Sequence, residues 1–163
     1  MQTVVYGWLA DQIAVHGQRI EGYPSAHSTG RALSTEIHPG TLAIYDNAVA
    51  SEPRAIIAPS SSADVTTLLR VVGLVRWDPT YPEPPYRIHA LAPVMRRGRI
   101  AIIAETSLDA ETNPFVRFQV GAVGTLLGSL RNDADGGKAV AAPYLTVVVG
   151  AALGKPAIVE VNL

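Results

Sequence analysis

The stretch LTVVVGAALGKPAIVEV, residues 145–161, indicates the fold class of this chain most clearly. It contains two runs rich in β-branched residues, 145–149 and 157–161, joined by a connection of hairpin length that includes glycine and proline. Short runs of this kind separated by turn residues are typical of neighbouring strands. We therefore predict two paired strands here, and the same reasoning extends to the rest of the chain.

Similar runs occur upstream, each near Gly, Pro, Asn or Asp. Predicted strands lie at 37–45, 54–58, 69–76, 93–96, 99–104 and 115–120. Arg97-Gly98 is predicted as the tight turn between 93–96 and 99–104, because glycine supplies the backbone freedom that a turn needs. A short helix within 60–69 stays open as an alternative, with Ser62 or Asp64 in its cap. About seven or eight short strands at this spacing predict an all-β fold, a small β-sandwich or barrel of jelly-roll or tulip-like form.

The first 35 residues differ from the rest. Neither a helical nor a two-residue period persists in them, although Trp8, Ile13 and Ile20 require burial somewhere. We therefore predict an extended N-terminal arm at 1–35 that packs on another molecule, followed by a β-sandwich or barrel domain at 36–163. The alternative is a strand and a loop that fold onto the chain's own core.

Composition excludes several classes of function. The chain has 163 residues, 48% of them apolar, which is enough for one domain with a core. Its 13 basic and 14 acidic residues give a net charge of −1, which argues against nucleic-acid binding. Cysteine is absent, so disulfides and thiolate metal sites are excluded. No apolar run approaches the roughly 18 residues of a membrane span, and no signal-peptide pattern is present, so we expect a soluble chain without a membrane partner.

The sequence contains no recognisable catalytic or cofactor motif. The four histidines are scattered, no Gly-x-Ser-x-Gly occurs, and the glycines at 121–128 are not followed by the Lys-Ser/Thr of a phosphate loop. Asp133, Asp135 and Gly136 resemble part of a calcium loop, but the bidentate glutamate that such a loop needs is missing. We therefore predict no catalytic residues, no cofactor and no metal, and hence no enzyme.

One basic cluster is present in the sequence. Arg96, Arg97 and Arg99 surround the predicted turn, where they either contact an anionic partner or form a solvated hairpin tip. Both interpretations stay open, and the three arginines are a candidate interface.

A succession of short motifs runs through most of the chain. In order, they are GxxAD at 7–11, EIxPGxLA at 36–43, VGLV at 72–75, MRRGRI at 95–100, NPFVR at 113–117, GxLRxDADGG at 128–137 and AIVEVNL at 157–163. In this order they resemble the head-decoration proteins of tailed bacteriophages, of the structural-cement type. The chain departs from that pattern in its proline-rich loop at 79–85 and at His38-Pro39.

The resemblance implies a non-enzymatic protein that binds the outer surface of the mature head. Its partners would be the major capsid protein and further copies of itself, usually in a trimer, and it would stabilise contacts between capsid subunits. It would be made in the host cytoplasm and located on the virion.

In that setting we expect the arm to carry the capsid contacts. The expected contact residues are Val4, Val5, Tyr6, Trp8, Asp11, Ile13, Arg19 and Ile20. Residues 4–9 would add as a strand to the edge of a capsid sheet, with Trp8 as an apolar anchor.

A second hypothesis from a different class is a glycan- or receptor-binding β-sandwich of a phage fibre or surface protein. Such a module needs exposed aromatic platforms, and Trp77, Tyr81 and Tyr86 near the proline-rich loop are the best candidates.

Overall fold

The chain folds almost entirely into β-structure in the computed structural model, which describes residues 17, 25–48, 51–78, 80, 85–123 and 125–163. The strands are β1 (Ala26–Ala32), β2 (Leu42–Tyr45), β3 (Ala55–Ile57), β4 (Val71–Val75), β5 (Leu91–Ile103), β6 (Phe115–Arg117), β7 (Leu130–Arg131), β8 (Ala139–Ala141), β9 (Leu145–Val149) and β10 (Pro156–Asn162). A helix, α1 (Ser62–Thr66), precedes β4, and a 3₁₀ turn (Asp135–Gly137) precedes β8. The predicted all-β class is confirmed.

Five strands close into a barrel. The strand order is β1-β3-β2-β4-β5, and β5 pairs back with β1 to complete the circle. A barrel of so few strands has a narrow interior, and the inward positions are accordingly small or β-branched. The core cluster inside it consists of Ala32, Ile37, Ala43, Ile56, Val72, Val75, Tyr86, Ala92 and Val94.

Strand β5 is long enough to take part both in the barrel and in an extension of the same seven-stranded sheet, formed by β10 and β9. Its first half pairs with β1 and β4, and its second half pairs with β10, which pairs in turn with β9. The partner changes at Arg97, which lies opposite both Ala26 and Asn162. The predicted turn at Arg97-Gly98 is therefore wrong. Gly98 has a φ of 127°, so its backbone freedom serves a point inside a continuous strand where the partner changes.

A second core lies outside the barrel. It is built by the outer face of β4, by β5, β9 and β10, and by a three-stranded sheet of order β7-β6-β8. Strand β4 belongs to both cores, because Val72 and Val75 face the barrel interior while Val71 and Leu74 face the second core. An extra residue in β4, opposite the junction of Ala43 and Ile44, produces this arrangement.

Residues 60–76 combine the two structures that the sequence left open. Helix α1 is capped by Ser61, whose side chain accepts a hydrogen bond from the backbone of Asp64, and the Asp64 side chain accepts one from the Ser61 backbone. This reciprocal pair is a capping box. The helix ends at Thr66, and β4 follows at Val71.

Part of the predicted arm belongs to the barrel. Strand β1 pairs with β5 over most of its length. Its inward residues, Gly30 and Ala32, are small, so the sequence of β1 shows no regular apolar pattern. Gly17 is buried as well: it donates to Ala101 O at 2.8 Å and accepts from Trp77 N at 2.9 Å. Residues 1–16 and 18–24 lie outside the described residues, and the arm stays a prediction there. Within the described ranges, no helix has the length and apolar character needed to cross a bilayer.

Candidate functional site

A buried ionic cluster lies at one end of the three-stranded sheet. Its centre is Arg117, the last residue of β6, whose side chain is 1% exposed. The guanidinium Nε donates to both carboxylate oxygens of Glu105, at 2.7 and 2.9 Å, and Nη2 donates to Glu105 Oε2 at 2.7 Å and to Asp135 Oδ2 at 2.8 Å. Nη1 donates to the carbonyl of Gln119 at 3.0 Å. Every nitrogen of the Arg117 side chain therefore donates at least one hydrogen bond.

A second arginine completes the cluster. Arg131 ends β7, and its Nη2 lies 2.6 Å from Asp133 Oδ1 while its Nη1 lies 3.1 Å from Asp135 Oδ2 and 3.4 Å from Glu105 Oε2. The hydroxyl of Ser129 also donates to Glu105. Charge-assisted and bidentate contacts of this kind are among the strongest polar interactions in proteins.

The electrostatics follow from this geometry. Hydrogen bonds to Glu105 raise the pKa of Arg117 above its ordinary value, with Asp135 adding to the effect against the opposing cost of burial. The hydrogen bond from Arg117 lowers the pKa of Asp135, and the nearby charges of Arg131 and Lys138 lower it further. The cluster therefore favours the ionised form of Asp135 and the charged form of Arg117.

This network also explains the partial likeness of 133–137 to a calcium loop. The carboxylates of Asp133 and Asp135 face arginine side chains, so these oxygens neutralise cations that the chain supplies itself. In the described part of the chain, no group of three or more His, Asp or Glu side chains is placed to hold a metal ion.

The predicted capsid contacts cannot be located. All eight, from Val4 to Ile20, lie outside the described residues.

The three arginines of the candidate interface lie along β5. Arg97 is exposed, Arg96 is half-buried, and Arg99 Nε forms an ion pair with Glu160 of β10 at 2.6 Å. They do not surround a hairpin tip, because the strand continues through them. Their use as an interface stays a prediction.

The aromatic platform of the glycan-binding hypothesis loses one member. Tyr86 is 1% exposed, lies in the barrel core and donates its hydroxyl proton to Arg76 O at 2.8 Å. Trp77 is half-buried, and Tyr81 lies outside the described residues. Tyr86 is therefore a core residue, and the prediction that it forms a platform is wrong.

At Gly30 the barrel interior is occupied by the side chain of Ile56. A Cβ atom built on Gly30 would lie 2.5 Å from the Ile56 side chain, so even one methyl group has no space there. The described histidines are also dispersed: His27 contacts Ser25, His89 is exposed, and burial lowers the pKa of His38 against an opposing effect of Glu36. The barrel therefore offers neither a ligand cavity at Gly30 nor a histidine pair.

Exposed aliphatic side chains mark surfaces that the sequence analysis missed. Val120, Val123 and Leu126 are exposed in the connection between β6 and β7, and Leu69 and Leu153 are 90% and 68% exposed at other connections. Isolated exposed aliphatic residues are ordinary. The group of Val120, Val123 and Leu126 is distinctive because it lies in the connection that begins just after Arg117. The sequence marks this connection by its lack of charged residues from 118 to 130.

No protein-family model matches the chain, and no curated protein matches it. Among solved structures, it is similar to a chain in the structure of the capsid of Myoviridae phage XM1. The TM-score is 0.67 with 13% sequence identity, and the match covers 93% of each chain. At this identity the likeness shows a shared fold, and it extends over nearly the whole of both chains.

Proposed function

We propose that this chain is a non-enzymatic decoration, or cement, protein of a tailed-phage head. The observation that carries the proposal is the fold shared with a chain of a phage capsid over 93% of both chains. The motif succession of the sequence supports it independently, because it points to head-decoration proteins without reference to the fold. The barrel interior, occupied at Gly30 by the Ile56 side chain, favours binding through surfaces over binding in a pocket.

In this proposal the chain binds the outer surface of the mature head as an oligomer, a trimer by analogy with the resembled family. Each copy contacts the major capsid protein and stabilises neighbouring subunits against one another. Many copies on a closed shell act together, so each individual contact needs only modest strength.

The arm supplies the principal contact in this proposal, through Val4, Val5, Tyr6, Trp8, Asp11, Ile13, Arg19 and Ile20. The buried Gly17 is hydrogen-bonded to Ala101 and Trp77, so the described part of the chain is anchored at this position. The same anchoring shows where a truncation must stop, since a deletion that reached β1 would open the barrel.

The experiment mixes the purified chain with undecorated heads assembled from the partner major capsid protein, and measures co-sedimentation. We expect the full chain to bind and a chain lacking residues 1–15 to lose binding while it keeps its oligomeric state. The variant Leu153→Ser, at an exposed turn, is the control and should bind like the full chain. Failure of the full chain to bind would refute the proposed function, and unchanged binding of the truncated chain would refute the role of the arm.

A further inference from the structure

Glu105 connects the large sheet to the three-stranded sheet. It follows β5, its backbone N–H donates to Leu130 O in β7 at 2.8 Å, and its carboxylate accepts hydrogen bonds from Arg117, Arg131 and Ser129. The carboxylate is 14% exposed. One side chain therefore holds β6, β7 and the connection between them against the end of β5.

The connection between β6 and β7 depends on the same cluster. Arg117 binds the carbonyl of Gln119 through its side chain, and its own carbonyl accepts from Gly128 N at 2.8 Å. Gly121 packs so closely that an added Cβ would lie 2.6 Å from Arg117 Nη1. The Arg117 side chain therefore holds the start of this connection, and its backbone carbonyl holds the end.

A buried guanidinium is tolerated only while its counter-charges are present. Breaking a buried ion pair by neutralising one partner is strongly destabilising, because the other charge remains buried and uncompensated. Three charged groups lie around Arg117: Glu105, Asp135 and Arg131. Around these, Asp133 forms an ion pair with Arg131, and the charge of Lys138 lowers the pKa of Asp135. Arginine and lysine side chains keep their charge in acid, so a change to acidic pH alters such a set through its carboxylates.

Among the described residues, no charged side chain belongs to the core cluster of the barrel interior. This cluster is aliphatic except for Tyr86, so protonation of carboxylates leaves the interior contacts unchanged. The two parts of the fold therefore differ in one respect: ion pairs add to apolar packing at the end of the three-stranded sheet, whereas the core cluster of the barrel consists of apolar packing.

We propose that the Arg117 cluster is an acid-sensitive lock. When acid removes the negative charge of the cluster, β6, β7 and their connection separate from the end of β5 while the barrel stays folded. This exposes the apolar side chains that the three-stranded sheet packs into the second core, Val116 and Leu130 among them. The lock is a property of the chain itself and holds whether or not the proposed function is correct.

Hydrogen exchange of the isolated chain between pH 7 and pH 3, corrected for the intrinsic pH dependence of exchange, tests this proposal. We expect the amides of 115–117 and 129–131 to lose protection at a higher pH than those of β4 and the first half of β5. In Glu105→Gln, protection at 115–117 and 129–131 should fall at least tenfold at pH 7 and depend less on pH, while β4 stays protected. Glu160→Gln, which removes the pair with Arg99, is the control and should change neither region.

Two results would overturn the proposal. One is loss of protection in both regions at the same pH, and the other is a wild-type pH dependence in Glu105→Gln. If Glu105→Gln does not fold, Asp135→Asn decides the matter in its place, because this carboxylate is 34% exposed and its replacement disturbs packing less. A wild-type pH dependence in Asp135→Asn would overturn the proposal in the same way.

Discussion

Gly73 occupies the tightest backbone position described in the barrel wall. Its φ is 145°, and a Cβ atom at this position would lie 2.1 Å from Met95 O in the neighbouring strand β5. The residue that β4 carries in excess of β2 lies next to Gly73. Only glycine satisfies both the conformation and the space.

We expect Gly73→Ala to lower the free energy of unfolding by about 3 kcal/mol or more, because the neighbouring strand must move away. The matched control is Gly136→Ala, at a φ of 62° with no atom within 4 Å of the added Cβ. It should cost about 1 kcal/mol from the conformation alone. Urea unfolding of both variants measures the difference, and equal losses would show that the contact with Met95 O carries no cost.

Helix α1 depends on a buried carboxylate. Asp64 is 2% exposed, accepts from Ser60 N at 2.8 Å and from Ser61 N at 3.0 Å, and forms an ion pair with Arg70. Burial alone would raise its pKa, but the hydrogen bonds from Ser60 and the charge of Arg70 outweigh it, so the pKa of Asp64 lies below its ordinary value.

The sign of the pH dependence follows from this lowered pKa. Asp64 contributes stability above the ordinary carboxyl pKa, and the contribution disappears as the pH falls through the lowered value in the folded state. We expect Asp64→Ala to cost about 1–2 kcal/mol at pH 7, typical of a lost helix cap, and less at pH 3. Urea unfolding at the two pH values measures it. An equal cost at both would contradict the assignment, and the exposed Asp109→Asn should show little change at either.

The elements that the sequence predicted well are those whose partner is the next element along the chain. The runs at 145–149 and 157–161 became β9 and β10, paired through Val147 and Val159. The turn at Arg97-Gly98 was predicted wrongly because a glycine between two apolar runs marks a turn and a bend in one strand equally well. Which of the two occurs is decided by β1 and β10, which reach β5 from distant parts of the sequence.

The ionic cluster was equally hidden from the sequence. Glu105, Arg117, Arg131 and Asp135 come from four separate segments, and only the fold brings them together. One local signal was available: Arg117 stands in the middle of the apolar run 115–120, where a charge is out of place unless it has a buried partner. The sequence did not indicate that the strands close into a barrel, because Gly30 and Ala32, the inward residues of β1, are too small to produce an apolar pattern.

The whole molecule presents two cores that share strands β4 and β5 as a common wall. Such a body deforms little, which suits a protein proposed to hold neighbouring capsid subunits at fixed positions. If the proposed function is correct, heads that carry the full chain should release their DNA at a higher temperature than undecorated heads. Heads mixed with the chain lacking residues 1–15 should show no gain. A dye that reports free DNA during heating measures the release, and equal temperatures for decorated and bare heads would contradict the cement role.

The length of β5, whose second half pairs with β10, has a consequence for synthesis on the ribosome. Ile100 and Ile102 emerge with the second half of β5, yet the partner strand β10 begins only at Pro156. During the whole interval between them, the nascent chain carries an apolar strand edge with no β10 to cover it. Newly made copies are therefore most exposed to mutual aggregation just before their last strand appears, and slow translation of residues 104–155 would prolong that hazard.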